Sequence, residues 1–147
     1  MVGVFDGHGG SNGVVASNTA RGVASEFFEK FKTDCESWAP EQWKQIMEQL
    51  FEKMHSAIRD RFVSDGASVT DMSGIKSRYV DEKGIVRTSQ GDPIHGGTTA
   101  TIVIITRNER DGSWVIISAD VGDSTALYVS SDNNWEFLTV VSMLICS

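Results

Sequence analysis

Three neighbouring residues near the start of the chain carry groups that suit a hard cation, in the run Val4-Phe5-Asp6-Gly7-His8-Gly9-Gly10. Asp6 offers a carboxylate, and Gly7 offers its own main-chain carbonyl because no side chain blocks the approach; oxygen donors of this kind are what a hard divalent cation requires. His8 would sit beside such an ion. The glycines let the backbone come close to whatever the carboxylate holds. The same residues also suit a tight strand-to-helix turn, with Asp6 as a capping acceptor and His8 in solvent. A pattern this short leaves both readings open.

Positioning these groups falls to the elements around them. Val2 to Phe5 is β-branched and aromatic and reads as a strand that ends on Asp6. From Ser11 onward Ala16, Ala20, Ala24, Phe27 and Phe31 recur at helical spacing, which predicts a helix with one buried stripe. Gly13 and Gly22 weaken it by roughly 1 kcal/mol each, so packing must hold it. Ser37 to Pro40 mark the start of a second helix, with Glu41 well placed against its dipole. Its apolar face is Trp43, Met47, Leu50, Met54, Ala57 and Ile58. His55 on the same segment receives no role.

From Val63 to His95 the helical period fades, and the stretch reads as a long connection or insertion. Within it Tyr79-Val80 and Ile85-Val86 flank Asp81-Glu82-Lys83-Gly84, a pattern for a small hairpin. The acidic residues Asp65, Asp71, Asp81, Glu82 and Asp92 do not follow an EF-hand spacing and are read as solvated. Thr98 to Ile105 is apolar without alternation and is expected to be a central, buried strand. Trp114 to Val121 returns beside it, Gly122-Asp123 turns, Ser124 to Val129 returns again, and Trp135 to Leu138 follows, which predicts a β-meander of at least four strands.

The chain has 147 residues, enough for one ordinary domain, and a net charge of -7. That balance argues against a nucleic-acid or anionic-membrane partner, both of which need clustered Lys and Arg. Cys35 and Cys146 are too few for a disulfide scaffold and form no C-x-x-C pair. No basic segment followed by an apolar stretch opens the chain, and the apolar run from Val140 to Cys146 is too short to span a membrane. A soluble cytoplasmic or nuclear protein is expected.

Val4-Phe5-Asp6-Gly7-His8-Gly9-Gly10 resembles the signature of the metal-dependent serine/threonine protein phosphatases of type 2C. Gly96-Gly97-Thr98-Thr99-Ala100 and Ala119-Asp120-Val121-Gly122-Asp123-Ser124 resemble later motifs of that family, in the same order. The resemblance implies an α+β fold: a partial type 2C phosphatase α-β-β-α sandwich, with antiparallel sheets flanked by helices. The domain would span 1–139, with 63–95 as its loop or insertion and 140–147 as a divergent tail.

By the same resemblance Asp6 would bridge two Mg²⁺ or Mn²⁺ ions, the Gly7 carbonyl would bind one of them, and Asp123 would help bind a further, weaker metal. His8 would be the general acid that protonates the leaving serine or threonine oxygen, a task that suits an imidazole at working pH. Thr98 and Thr99 match a position where a small hydroxyl packs beside the metals. Taken alone, Asp123 could equally close an Asx turn, and the threonines could be ordinary strand residues. Asp120 stands where many relatives have a small neutral or polar residue and is not counted as a ligand. The implied partners are phosphoproteins, with a monomer expected for the complete protein.

Several parts of the family pattern have no counterpart in these residues. The phosphate-binding arginine with its acidic pair is not present before Met1, no later pair of aspartates completes the binuclear site, and Thr125 replaces an arginine common after Gly-Asp-Ser. One bridging carboxylate and one carbonyl are too few donors for two octahedral ions, so the chain as written is expected to be a poor catalyst. It is also expected to be marginally stable, because half a sandwich leaves unpaired strand edges and an uncovered apolar face. The alternatives are a catalytically inactive pseudophosphatase or regulatory fragment that binds phosphoproteins and, further off, an unrelated soluble binding domain whose three motifs are turns.

Overall fold

A computed structural model describes residues 1–30, 38–67, 78–107 and 112–138. Along the chain these residues form β1 (Val2–Val4), β2 (Gly7–His8), α1 (Ser11–Glu29), α2 (Pro40–Ala67), β3 (Arg78–Val80) and β4 (Val86–Thr88). The remaining elements are β5 (Gly97–Thr98), β6 (Ala100–Arg107), β7 (Trp114–Val121), β8 (Leu127–Val129) and β9 (Trp135–Phe137). One three-stranded antiparallel sheet, in the order β1-β6-β7, is covered on one face by α1 and α2. Two helices on an antiparallel sheet are the α+β arrangement expected of a partial sandwich.

The core lies between the helices and that sheet. Ala20, Ala24 and Phe27 of α1 and Trp43, Met47, Leu50 and Met54 of α2 meet Ala100, Ile102 and Ile104 of β6. Steps of three and four along each helix place these side chains on one stripe, and steps of two along β6 place its contribution on one face. Leu50 is 0 % exposed and Ile102 1 %. The start of α2 is capped from within: Pro40 opens the helix, and the Gln42 side-chain oxygen reaches back to accept the Ala39 N–H at 2.8 Å.

The helix does not end at Val63, where its sequence period weakens, but runs to Ala67. Arg61 and Asp65, one turn apart, pair at 2.9 Å, and Phe62 and Val63 pack with Ala16 and Val86 in a second apolar cluster. Tertiary contact therefore extends a helix that local composition would stop. The expected hairpin is present as β3 and β4, with Tyr79 opposite Arg87. Asp81 organises its turn by accepting from the backbone N–H of Lys83 and Ile85 and from Arg87 Nε at 2.6 Å. The hydrogen bond from Arg87 is the main reason its carboxyl is held below the usual value. Phe31, Ser37, Cys35, Asp71, Cys146 and the 140–147 tail lie outside the described residues.

β6 is the central strand, as expected, but the four-strand meander divides. β7 pairs with β6, whereas β8 pairs with β9 in a sheet of its own. The reason lies just after β7, where Ser124 is bonded to β6 and not to the outer edge of β7. Its hydroxyl is 2.7 Å from Thr99 Oγ1, and its carbonyl accepts the Thr101 hydroxyl at 3.2 Å. These bonds draw the chain across the sheet before β8 begins.

The sheet face turned away from the helices is exposed along much of its surface, although Thr101 on the same face is only 4 % exposed where it meets Ser124. Alternation along the strands puts Val2, Val4, Ile105, Trp114 and Ile116 on it, with Val2 69 % and Trp114 72 % exposed. Among the described residues no helix is long and apolar enough to cross a membrane.

Candidate metal centre

The residues that could do chemistry gather where β1 gives way to β2. The pairing of β1 with β6 continues into that of β2 with β5, with Gly7 opposite Thr98 and His8 opposite Gly97. At the row between them the ladder changes character. The Thr99 N–H donates to the Asp6 carbonyl at 2.9 Å, but the Asp6 N–H is taken at 3.2 Å by the Thr99 hydroxyl. Thr99 is 9 % exposed, and the same hydroxyl meets Ser124 Oγ. Gly122, at φ 101°, presses on the Thr99 side chain, so closely that a Cβ there would lie 2.7 Å from Thr99 Cγ2. Thr99 thus fastens the Asp6 segment and the 122–124 turn to one end of the sheet.

Asp6 is exposed and lies between Phe5, which packs against the core, and Gly7, whose missing Cβ would point into α1. Alternation therefore turns Asp6 to the open face of the sheet. Asp120 belongs to that face as well, because its neighbours Ala119 and Val121 both pack against the core. Burial holds the Asp120 carboxyl above its usual value. Asp123 is exposed at the tip of the turn. His8 is exposed too, with its ring over Gly97, where a Cβ would come within 2.8 Å of the imidazole Cε1.

The glycines of the first motif bring backbone against backbone. A Cβ on Gly7 would lie 2.2 Å from the Gly13 carbonyl oxygen, and one on Gly13 would lie 2.6 Å from His8 main-chain atoms. Gly9 meets Gly96 in the same way, at 2.6 Å from a would-be Cβ to the Gly96 Cα. Asn12 Nδ2 donates to the His95 carbonyl at 2.9 Å and ties the first turn of α1 to the chain entering β5. Gly10, at φ 64°, makes the turn into α1 that a side chain would resist. The motif works here as a seam between strand and helix, which in turn fixes where the Asp6 and His8 side chains emerge.

Sequence reasoning paired Thr98 and Thr99 as equivalent hydroxyls, but the structure separates them. Thr98 donates to the Thr99 carbonyl, whereas Thr99 carries the bridge. Ser124 was not singled out, and only its place after Gly-Asp pointed to it. Valine at 99 deletes the acceptor for Asp6 N–H and the partner of Ser124 at once. Thr99→Val is expected to cost about 1–3 kcal/mol and to speed amide exchange at Asp6, with Thr99→Ser recovering most of the loss. Denaturant unfolding and hydrogen exchange measure the two effects.

The model of the protein phosphatase 2C family matches residues 1–141. This chain belongs to that family, a class of protein phosphatases whose implied cofactor is Mg²⁺ or Mn²⁺. No curated protein and no solved structure matches the chain. Set against that cofactor, the donor set falls short: among the described residues no group of three or more His, Cys, Asp or Glu side chains is placed to hold a metal ion. Asp6, the Gly7 carbonyl and Asp123 are fitting donors by type, but two carboxylates and a peptide oxygen do not make two octahedral cages.

Proposed function

We propose that this chain carries part of the active site of a type 2C phosphatase that removes phosphate from serine and threonine side chains of proteins. Asp6, the Gly7 carbonyl and Asp123 are the residues that would contact Mg²⁺ or Mn²⁺, and His8 is the proton donor to the leaving oxygen. A metal held there would supply an activated water as the nucleophile. The supporting observation is Thr99, which holds the Asp6 segment and the 122–124 turn at the same end of the sheet. Exposure of Asp6, His8 and Asp123 leaves all three open to a phosphoprotein.

The shortage of ligands supports a second reading, in which the described residues bind phosphoproteins without hydrolysing them. Turnover of a phosphothreonine peptide by the full-length protein distinguishes the two. Hydrolysis that requires Mn²⁺ or Mg²⁺, stops with a chelator and falls at least about a hundredfold in Asp6→Asn supports the enzyme. Hydrolysis that survives the chelator rules out the metal mechanism. Peptide binding without any turnover supports the second reading.

A further inference from the structure

On the helix-covered side of the sheet, away from the open face, α2 and the β3–β4 hairpin enclose a cleft of about 350 Å³. Its origin is a shortage of side-chain volume. Ala20 of α1 and Ala100 of β6 face the space with Gly96 and Gly97, while Met54, Phe62 and Val86 wall it without filling it. Ala20, Met54, Phe62, Val86 and Ala100 are each no more than 7 % exposed, so the floor is apolar. The exposed residues Gly84 and His55 lie at the mouth.

The polar lining is one-sided. Arg59, His55 and His8 border the cleft, and none of its lining residues among those described is acidic, although the chain as a whole carries a net charge of -7. Among the described residues Arg59 is held only loosely, by Ser56 Oγ at 3.4 Å and by the 73 % exposed Asp60 at 3.9 Å, which leaves guanidinium donors to spare. A volume at the lower end of the roughly 300–1,000 Å³ usual for small-molecule sites, an apolar floor and an Arg at the entrance describe a receptor for one kind of ligand. We propose that this cleft binds an aliphatic carboxylate, with its chain laid against Met54, Phe62 and Val86 and its acid group on Arg59 and His55.

The cleft shares His8 with the site proposed above, but the assignment needs neither a metal nor phosphatase turnover, so decanoate binding tests it separately from that function. Titration of the full chain with decanoate, followed by calorimetry, is expected to show one site per chain, with decanol binding more weakly because it lacks the charge. Arg59→Gln, a change at a partly exposed position, is expected to weaken decanoate binding by about tenfold or more. Trp114→Lys on the open sheet face is expected to leave it unchanged. Absence of binding, equal binding by Arg59→Gln, several decanoates per chain, or a loss caused by Trp114→Lys would each overturn the proposal, the last two by showing adsorption to the open face.

Discussion

Alanine at position 7 is expected to unfold the region around the first motif, at a cost of about 3 kcal/mol or more. The added Cβ would sit 2.2 Å from the Gly13 carbonyl oxygen and 2.6 Å from its carbon. Both are main-chain atoms inside α1, so no rotamer change can clear them. Either the helix or β2 must move, and each is already fixed, β2 to Thr98 of β5 and the helix to the core through the Ala20 stripe. Overpacking a tight contact commonly costs about 1–3 kcal/mol, and a clash with backbone belongs at or beyond the upper end. Gly22 provides the comparison within the same helix. Nothing lies within 4 Å of a Cβ built there, so Gly22→Ala is expected to raise stability by about 0.5–1 kcal/mol. Urea unfolding midpoints of opposite shift in these two variants would confirm the seam; two shifts of the same sign would refute it.

Leu50→Ala should remove about 3–5 kcal/mol, near the top of the range for a buried leucine. Leu50 has no solvent exposure and belongs to the cluster that joins both helices to β6, with Phe51 and Ile46 beside it on α2. A cavity there has little means of collapsing, because the sheet on the far side is held in register along eight paired positions of β6 and β7. Set against a total stability of about 5–15 kcal/mol for a domain of this kind, that loss leaves little margin. Ile105→Ala is the matched control. Ile105 is 60 % exposed on the open face, so its truncation should cost less than about 1 kcal/mol by thermal or denaturant unfolding.

The parts of this fold that were legible in the sequence are those with a clear period. The stripes of α1 and α2, the buried central run of β6 and the hairpin around Asp81 all follow from spacing and turn chemistry. The extension of α2 to Ala67 was not legible, since it depends on contact with Ala16 and Val86 from distant parts of the chain. Nor was the division of the meander, which depends on two threonine hydroxyls, Thr99 just before β6 and Thr101 within it, capturing Ser124. At the candidate centre the motif puts forward Asp6, Gly7, His8 and Asp123, whereas nothing in it points to the bridge through Thr99. A hydroxyl that replaces a carbonyl in a strand ladder leaves no periodic trace. The role of the glycines as a seam emerges only in the folded chain, because a short glycine run reads the same beside a ligand as beside another backbone.

The register of the sheet carries a consequence for biosynthesis. Val2 finds its partner at Val103, so about a hundred residues must be translated before β1 has anything to pair with. At about 5–20 residues per second that interval is roughly 5–20 s, during which the apolar stripes of both helices have left the ribosome without the strand that covers them. Nascent chains halted before β6 should therefore recruit holding chaperones, and chains halted well beyond β7 should release them.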